Sequence, residues 1–120
     1  MPRDLIAPGE IYHIFNRGIN KQPVFLNESD YTRMLFLILF LQSEEILNNI
    51  GQHTKNFIKH KDFGLSKNTL VEILKNRTIE LISFALMPNH FHLFVHELKE
   101  GGISKYLQRI EIAYTKYFNT

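Results

Sequence analysis

Apolar and polar residues alternate in two short stretches of the chain. In EIYHIFNRG, residues 10–18, every second side chain points to the same side if the segment is a strand. HFHLFVHE, residues 90–97, alternates in the same way, with histidines opposite apolar residues. TIELISFALM, residues 78–87, is apolar and rich in β-branched residues, which is typical of a buried strand. Pro88-Asn89 is a turn signal, so the last two stretches predict a hairpin.

Two longer stretches follow helical spacing. NESDYTRMLFLILFLQSEEIL, residues 27–47, opens with Asn27 as a helix cap and then becomes apolar almost all round. EGGISKYLQRIEIAYTKYFNT, residues 100–120, predicts a last helix that Ser104 can cap. Between them, NNIGQHTKNFIKHKDFG has no clean period, and SKNTLVEILKN predicts a short helix capped by Ser66.

The predicted order of strand, helix, strand, strand and helix gives the fold class. It indicates an α+β domain with an antiparallel sheet, the ferredoxin-like split β-α-β fold. Five of the six elements of that fold are present, and a closing fourth strand is missing. We expect one domain over residues 1–120, with residues 48–78 as an insertion between the first helix and the second strand.

Composition narrows the class of protein. The chain has 120 residues, 44% of them hydrophobic, no cysteine and a formal charge of +2. Any metal site must therefore use histidine, carboxylate or amide ligands, and the charge does not by itself indicate nucleic acid. The start resembles no signal peptide, and no apolar run approaches the roughly 20 residues that span a bilayer. The sequence predicts a cytoplasmic protein without a membrane partner.

Basic residues are frequent in the predicted insertion. Six of them stand against two acidic residues between Gly51 and Arg77, namely Lys55, Lys59, Lys61, Lys67, Lys75 and Arg77 against Asp62 and Glu72. Such a segment is either a solvated flank or a surface that contacts phosphates. The sequence leaves both interpretations open.

Three histidines lie within seven residues of the predicted third strand. His90 and His92 are two residues apart, so their imidazoles share a face and can converge on one metal ion. His96 shares that face but lies roughly 13 Å from His92, which makes it a poor third ligand. Spacing alone is also compatible with a polar sheet surface, which is the more common role of histidines on a sheet face. His13 on the first strand can neighbour the pair, although we favour ordinary sheet surface for it.

The stretch LMPNHFHLFVHE resembles the His-hydrophobic-His signature of the HUH single-tyrosine transposases of insertion sequences. It is most similar to their REP-associated tyrosine transposase branch. YHIFNRGINKQPVF resembles the first strand and turn of that family, NESDYTRMLFLI its first helix, and GGISKYLQRIEIAYTKYFN its second helix. The resemblance covers residues 10–46 and 79–119.

The resemblance implies that the protein cuts and rejoins single-stranded DNA at hairpin-bearing ends, and that it forms a homodimer. His90 and His92 would hold a divalent metal, Mg²⁺ or Mn²⁺ in this family, whereas ligand softness alone suggests zinc. A tyrosine would attack the scissile phosphate and form a 5′-phosphotyrosine. Asn16, Arg17 and Lys21 lie where the family touches DNA, although a solvated loop is an equally good interpretation.

The tyrosine of this chemistry is hard to place. In the family, a Gln or Asn follows the nucleophile by four residues on a later helix, and no tyrosine of the last helix meets that test. Tyr114 and Tyr117 share the apolar stripe of that helix, so packing is their more typical role, and they remain only fallback nucleophiles. We therefore expect the chain to stop before the fourth strand and the catalytic helix of the family.

Three other interpretations stay open. The chain can be a non-catalytic module that binds hairpin or single-stranded DNA, which the missing Tyr-x-x-x-Gln/Asn favours. It can be a replication initiator or relaxase, which share the His-hydrophobic-His chemistry. An unrelated metalloprotein would need a third ligand beside His90 and His92.

Overall fold

The computed structural model describes residues 9–17 and 25–118. In chain order its elements are β1 (Ile11–Arg17), α1 (Glu28–Phe40), α2 (Ile50–His60), α3 (Lys67–Lys75), β2 (Ile79–Met87), β3 (His90–Glu97) and α4 (Gly102–Phe118). The strands form one antiparallel sheet in the order β1-β3-β2. The predicted α+β class is confirmed, and the arrangement is compatible with a split β-α-β fold. No fourth strand joins the sheet within the described ranges.

The predicted hairpin and two of the predicted helix starts are confirmed. β2 and β3 are joined by a turn at Pro88 and Asn89. The Asn27 side chain accepts a hydrogen bond from the backbone N–H of Asp30 at 2.9 Å. Ser66 accepts one from the backbone N–H of Thr69 at 3.1 Å. Each cap satisfies one of the N–H groups that a helix start leaves without a partner.

The last helix begins differently from the prediction. Its first residue is Gly102, so Ser104 lies inside the first turn and does not cap the helix. The buried carboxylate of Glu97 accepts a hydrogen bond from the backbone N–H of Ile103 at 2.5 Å. A carboxylate there also suits the positive end of the helix dipole. The prediction of Ser104 as the cap is wrong because Glu97, at the end of the preceding strand, accepts the hydrogen bond at this helix start.

Helix α2 was absent from the prediction, which found no clean period in this region. The helix is stabilised by packing against aromatic residues from outside it. His53 stacks on Phe36 of α1 with ring centroids 5.7 Å apart, and Phe57 stacks on Phe63 at 4.3 Å. Tertiary contacts of this kind outweigh a weak local pattern.

Helices α2 and α3 lie in a segment whose ends meet. Ser43, just after α1, forms an isolated antiparallel bridge with Arg77, just before β2. The backbone carbonyl of Gln42 accepts a hydrogen bond from the N–H of Thr78 at 2.8 Å. The predicted insertion, residues 48–78, falls almost entirely between these paired positions, and its status as an insertion stays a prediction.

The hydrophobic core lies between the sheet and helices α1 and α4. From β3, Leu93 and Val95 are fully buried, and they share one core cluster with Ile38 of α1 and Ile103 of α4. The hydroxyl of Tyr106, also in α4, donates to the carbonyl of Ile38 at 2.6 Å. That carbonyl is one of the four that the end of a helix leaves without an intrahelical donor. Helices therefore cover one face of the sheet, whereas none of the described helices lies on the other, which we call the open face.

No described helix combines the length and the apolar character needed to cross a bilayer.

Candidate metal and nucleic-acid site on the open face of the sheet

Strand β3 places the histidines on the open face because its side chains alternate. Phe91, Leu93 and Val95 are buried toward the helices. His90, His92, Phe94 and His96 therefore point the other way, and Phe94 is 40% exposed. As the central strand, β3 pairs with β1 on one side and β2 on the other, which fixes its register along its whole length.

His90 and His92 lie side by side, as their spacing predicts. Their ring centroids are 5.3 Å apart and the rings are nearly perpendicular. Nδ1 of His90 is 2.7 Å from Oδ1 of Asn89, and Nδ1 of His92 is 2.8 Å from Nε2 of His13. In each ring the other nitrogen, Nε2, is then the natural ligand, because a hydrogen bond at Nδ1 fixes the tautomer and the ring orientation.

His13 belongs to this cluster, so the prediction of ordinary sheet surface for it is wrong. Besides its hydrogen bond to His92, its ring stacks on that of His92 with centroids 5.0 Å apart. Strand alternation alone places His13 on the same face as Phe15. Which residues of β3 lie beside His13 depends on the register between the two strands. In that register Phe15 is opposite His92 and His13 is opposite Phe94, which sequence reasoning did not establish.

The electrostatics of the cluster favour a neutral His92. Desolvation lowers the pKa of His92, and the charges of His13 and His90 lower it further. The neutral imidazole is the form that binds a metal ion. The donor set therefore fits a divalent cation through two nitrogens. Among the described residues, no group of three or more His, Cys, Asp or Glu side chains is placed to hold one. Other coordination positions would fall to water or phosphate oxygens.

His96 lies apart from the pair, as its spacing predicts. Its Nδ1 is 3.3 Å from Oε1 of Glu80. In the β1 register, His96 is opposite Ile11 and His90 is opposite Arg17, so the two histidines occupy opposite ends of the strand.

The fallback nucleophiles Tyr114 and Tyr117 lie on the helix-covered side of the sheet. The Tyr117 hydroxyl donates to Oδ1 of Asp30 at 2.8 Å, and the Arg33 guanidinium lies 4.4 Å from the Tyr117 ring centroid. Tyr114 packs against the core beside Phe25. Desolvation raises the pKa of Tyr114 and of Tyr117, and the nearby carboxylate of Asp30 raises both further. Neither side chain is brought together with the histidine pair.

The other three tyrosines also belong to the covered side. Tyr106 is buried, and Tyr31 donates its hydroxyl to the backbone carbonyl of Leu86. Tyr12 packs against the core, because it alternates with His13 on β1, and its hydroxyl donates to Glu10 at 3.0 Å. All five tyrosines of the chain are thus on the face opposite the histidines.

The predicted DNA-contacting residues lie at one end of β1. The register places Arg17 opposite His90 and Asn16 opposite Phe91, so the backbone of this end is next to the histidine pair. Lys21 lies outside the described residues. In the basic segment, Lys55 and Lys59 are exposed on α2, whereas Arg77 is 3.8 Å from Glu80.

The chain is an α+β protein with an antiparallel sheet, and one face of that sheet carries two adjacent histidines. A family model described as "Transposase IS200 like" matches residues 47–120, more than half of the chain. The chain therefore belongs to the IS200-like transposase family, whose role is DNA transposition and whose partner is DNA. Transposases of this family generally depend on metal. The match includes the predicted insertion. No curated protein and no solved structure matches the chain.

Proposed function

We propose that the protein is a transposase that cleaves and rejoins single-stranded DNA at hairpin-bearing ends. In this proposal His90 and His92 hold Mg²⁺ or Mn²⁺, and a tyrosine is the nucleophile. The observation that carries the proposal is the histidine pair itself. Two imidazoles share an open sheet face, and each has Nδ1 engaged by a neighbouring side chain. The membership in a transposase family supplies the reaction class.

In the proposed mechanism the histidine pair positions the reacting phosphate. Asn89 and His13 hold the His90 and His92 rings at Nδ1, which would leave Nε2 of each ring to bind the cation. The bound cation supplies positive charge that stabilises the scissile phosphate and the leaving 3′ oxygen. A tyrosine hydroxyl then forms a bond to phosphorus while the bond from phosphorus to the 3′ oxygen breaks. The products are a 5′-phosphotyrosine and a 3′-OH, and the reverse attack rejoins DNA.

The source of the tyrosine separates this proposal from its main alternative. All five tyrosines lie on the covered side of the sheet, so we infer that one folded copy does not bring its own tyrosine to the histidine pair. If cleavage occurs, the nucleophile comes from outside the described residues of that copy, and a homodimer, as proposed for the family, is one arrangement that provides it. The alternative is a non-catalytic module that binds hairpin or single-stranded DNA. The placement of the tyrosines favours this alternative.

A gel assay decides between cleavage and binding alone. The full chain is incubated with Mn²⁺ and single-stranded hairpin oligonucleotides labelled at either end, and products are separated under denaturing conditions. A covalent protein–DNA adduct supports cleavage. Binding without an adduct supports the module. Loss of the adduct in Tyr114→Phe or Tyr117→Phe would contradict the expectation that the nucleophile is not among the tyrosines of the last helix.

The metal site has its own test. We expect the double variant His90→Ala plus His92→Ala to lose Mn²⁺ binding in a titration followed by electron paramagnetic resonance. His96→Ala is the matched control, since His96 lies on the same strand and face but contacts Glu80 instead. Unchanged Mn²⁺ binding in the double variant, or an equal loss of Mn²⁺ binding in His96→Ala, would contradict the proposed site. Because the protein belongs to a transposase family that acts on DNA, we also propose that it is located in the cytoplasm.

A further inference from the structure

Five aromatic rings form a continuous row across β1 and β3 on the open face. We call this row the ring tract, and its order is Phe94, His13, His92, Phe15, His90. Successive ring centroids are 4.6, 5.0, 4.7 and 5.7 Å apart. The phenyl rings of Phe94 and Phe15 stand on either side of the stacked imidazoles of His13 and His92. The proposed metal pair is thus part of a longer aromatic surface.

The two phenylalanines of the ring tract are open to solvent. Phe15 is 48% exposed and Phe94 is 40% exposed. His13 and His92 lie between these two phenylalanines, so the exposed phenyl rings and the imidazoles form one contiguous aromatic patch. A contiguous patch of this kind marks an interaction surface. These rings are not part of the hydrophobic core, because the side chains that β1 and β3 contribute to the core lie on the opposite face.

We propose that the ring tract is a stacking platform for the unpaired bases of single-stranded DNA, with Phe15 and Phe94 as the rings that grip them. Every base has an aromatic face, so rings on an open sheet bind single strands with little sequence preference. This inference rests on the proposed function, because it takes single-stranded DNA as the molecule that reaches this face. It goes further by naming residues that bind bases rather than phosphate.

The composition of the ring tract favours bases over a second copy of the protein. Three of its five members are imidazoles, and burying such polar rings under an apolar protein surface is unfavourable without hydrogen-bond partners. Stacked bases cover the phenyl rings while leaving the edges of the imidazoles accessible to water and phosphate. The tract is also continuous with the proposed cleavage site, so a strand bound there passes the histidine pair.

The test compares two probes with equal charge. A 12-nucleotide oligo(dT) and an abasic 12-mer have the same phosphates, but only the first has bases to stack. Binding is measured by fluorescence anisotropy in EDTA, so that neither metal nor cleavage contributes, with protein titrated to millimolar concentration. We expect the native protein to prefer oligo(dT). Phe15→Ala and Phe94→Ala should each weaken oligo(dT) binding by about 5- to 150-fold, the usual range for one stacked base. Abasic binding should stay unchanged.

Phe84→Ala is the matched control. Phe84 is 43% exposed on the same sheet, but it is opposite Leu93 in the register and shares the face of that core residue. We expect this variant to bind both probes like the native protein. Phe15→Leu and Phe94→Leu retain apolar volume without an aromatic ring, and they should lose the preference for bases as the alanine variants do. Circular dichroism confirms that each variant is folded.

Several results would overturn the proposal. Equal affinity of the native protein for the two probes would show that bases are not gripped. Native-like binding by the leucine variants would show apolar contact instead of stacking, and an equal loss in Phe84→Ala would show an indirect effect. A change in sedimentation of Phe15→Ala or Phe94→Ala with unchanged DNA binding would assign the face to a second copy. Binding is measured without metal, so a protein that cannot cleave DNA can still pass this test. Failure of the stacking proposal is therefore distinguishable from failure of the proposed cleavage function.

Discussion

The two faces of the sheet carry different residues, although the same strands build both. On the covered face, Leu93 and Val95 are fully buried, and tyrosine hydroxyls donate to backbone carbonyls and to Asp30. On the open face, histidine rings contact one another and exposed phenyl rings. Successive side chains of a strand point to opposite faces, so residues that are adjacent in sequence lie on different faces of the sheet. One of them packs in the core, and the next is exposed on the open face. Substitutions one residue apart on β3 should therefore have unrelated consequences.

The largest expected effect is on the covered face. Leu93→Ala removes a side chain with no exposed surface from the centre of the core. We expect a loss of about 3 kcal/mol in the free energy of unfolding, through lost burial and a residual cavity. Urea denaturation measures it. A loss below about 1 kcal/mol would mean that the core collapses around the site, and it would weaken the contrast between the faces.

The next effect tests how β3 is joined to α4. Glu97→Ala removes the buried carboxylate that accepts the Ile103 N–H, and it leaves that donor without its partner. We expect a loss of about 2 kcal/mol in unfolding free energy. Glu97→Gln keeps an acceptor oxygen in the same place and should lose less. If glutamine and alanine are equally destabilising, the charge rather than the hydrogen bond is what stabilises the helix start.

A smaller effect concerns a tyrosine of the covered face. Tyr106→Phe deletes the hydroxyl that donates to Ile38, and we expect a loss of about 1 kcal/mol in unfolding free energy near neutral pH. Burial raises the pKa of Tyr106 above its ordinary value. A pKa raised on folding contributes stability that is complete below about pH 10 and declines as pH rises further. The native protein should therefore lose more stability than Tyr106→Phe between pH 9 and pH 11 (roughly the range that brackets the ordinary tyrosine pKa), as urea midpoints will show.

The smallest effect belongs to the open face. Phe94→Ala should change the unfolding free energy by about 0.5 kcal/mol or less, although Phe94 is adjacent in sequence to Leu93. The same urea series measures it. A loss approaching that of Leu93→Ala would show that the open-face rings stabilise the fold, and the separation of the two faces would then be wrong.

Local signals in the sequence were sufficient for much of the fold. Asn27 and Ser66 cap the helices they were predicted to cap, since a cap depends on a side chain and a backbone N–H three residues later. Alternation placed the histidines of β3 on one face. The failures have a common cause in contacts with side chains outside the helix concerned: α2 depends on Phe36 and Phe63, and the start of α4 depends on Glu97.

The candidate site divides in the same way. The spacing of His90 and His92 and the exclusion of His96 follow from strand geometry alone. His13 was missed because its contact with His92 depends on the register between β1 and β3, which short sequence patterns do not specify. Sequence spacing also did not show on which face of the sheet the tyrosines lie relative to the histidines. That relation requires the packing of α4 against the sheet, where Ile103, Tyr106 and Ile110 are buried.

The bridge between Ser43 and Arg77 gives the chain a junction at the base of the segment that carries α2 and α3. Antiparallel partners are close enough for a short turn to join them. We therefore expect that an unrelated helical unit can replace most of that segment without altering the path of α1 or β2. Aromatic contacts with Phe36 are what such a replacement must restore. The junction is thus a natural grafting point, where a new recognition module can be attached while the histidine strand keeps its position.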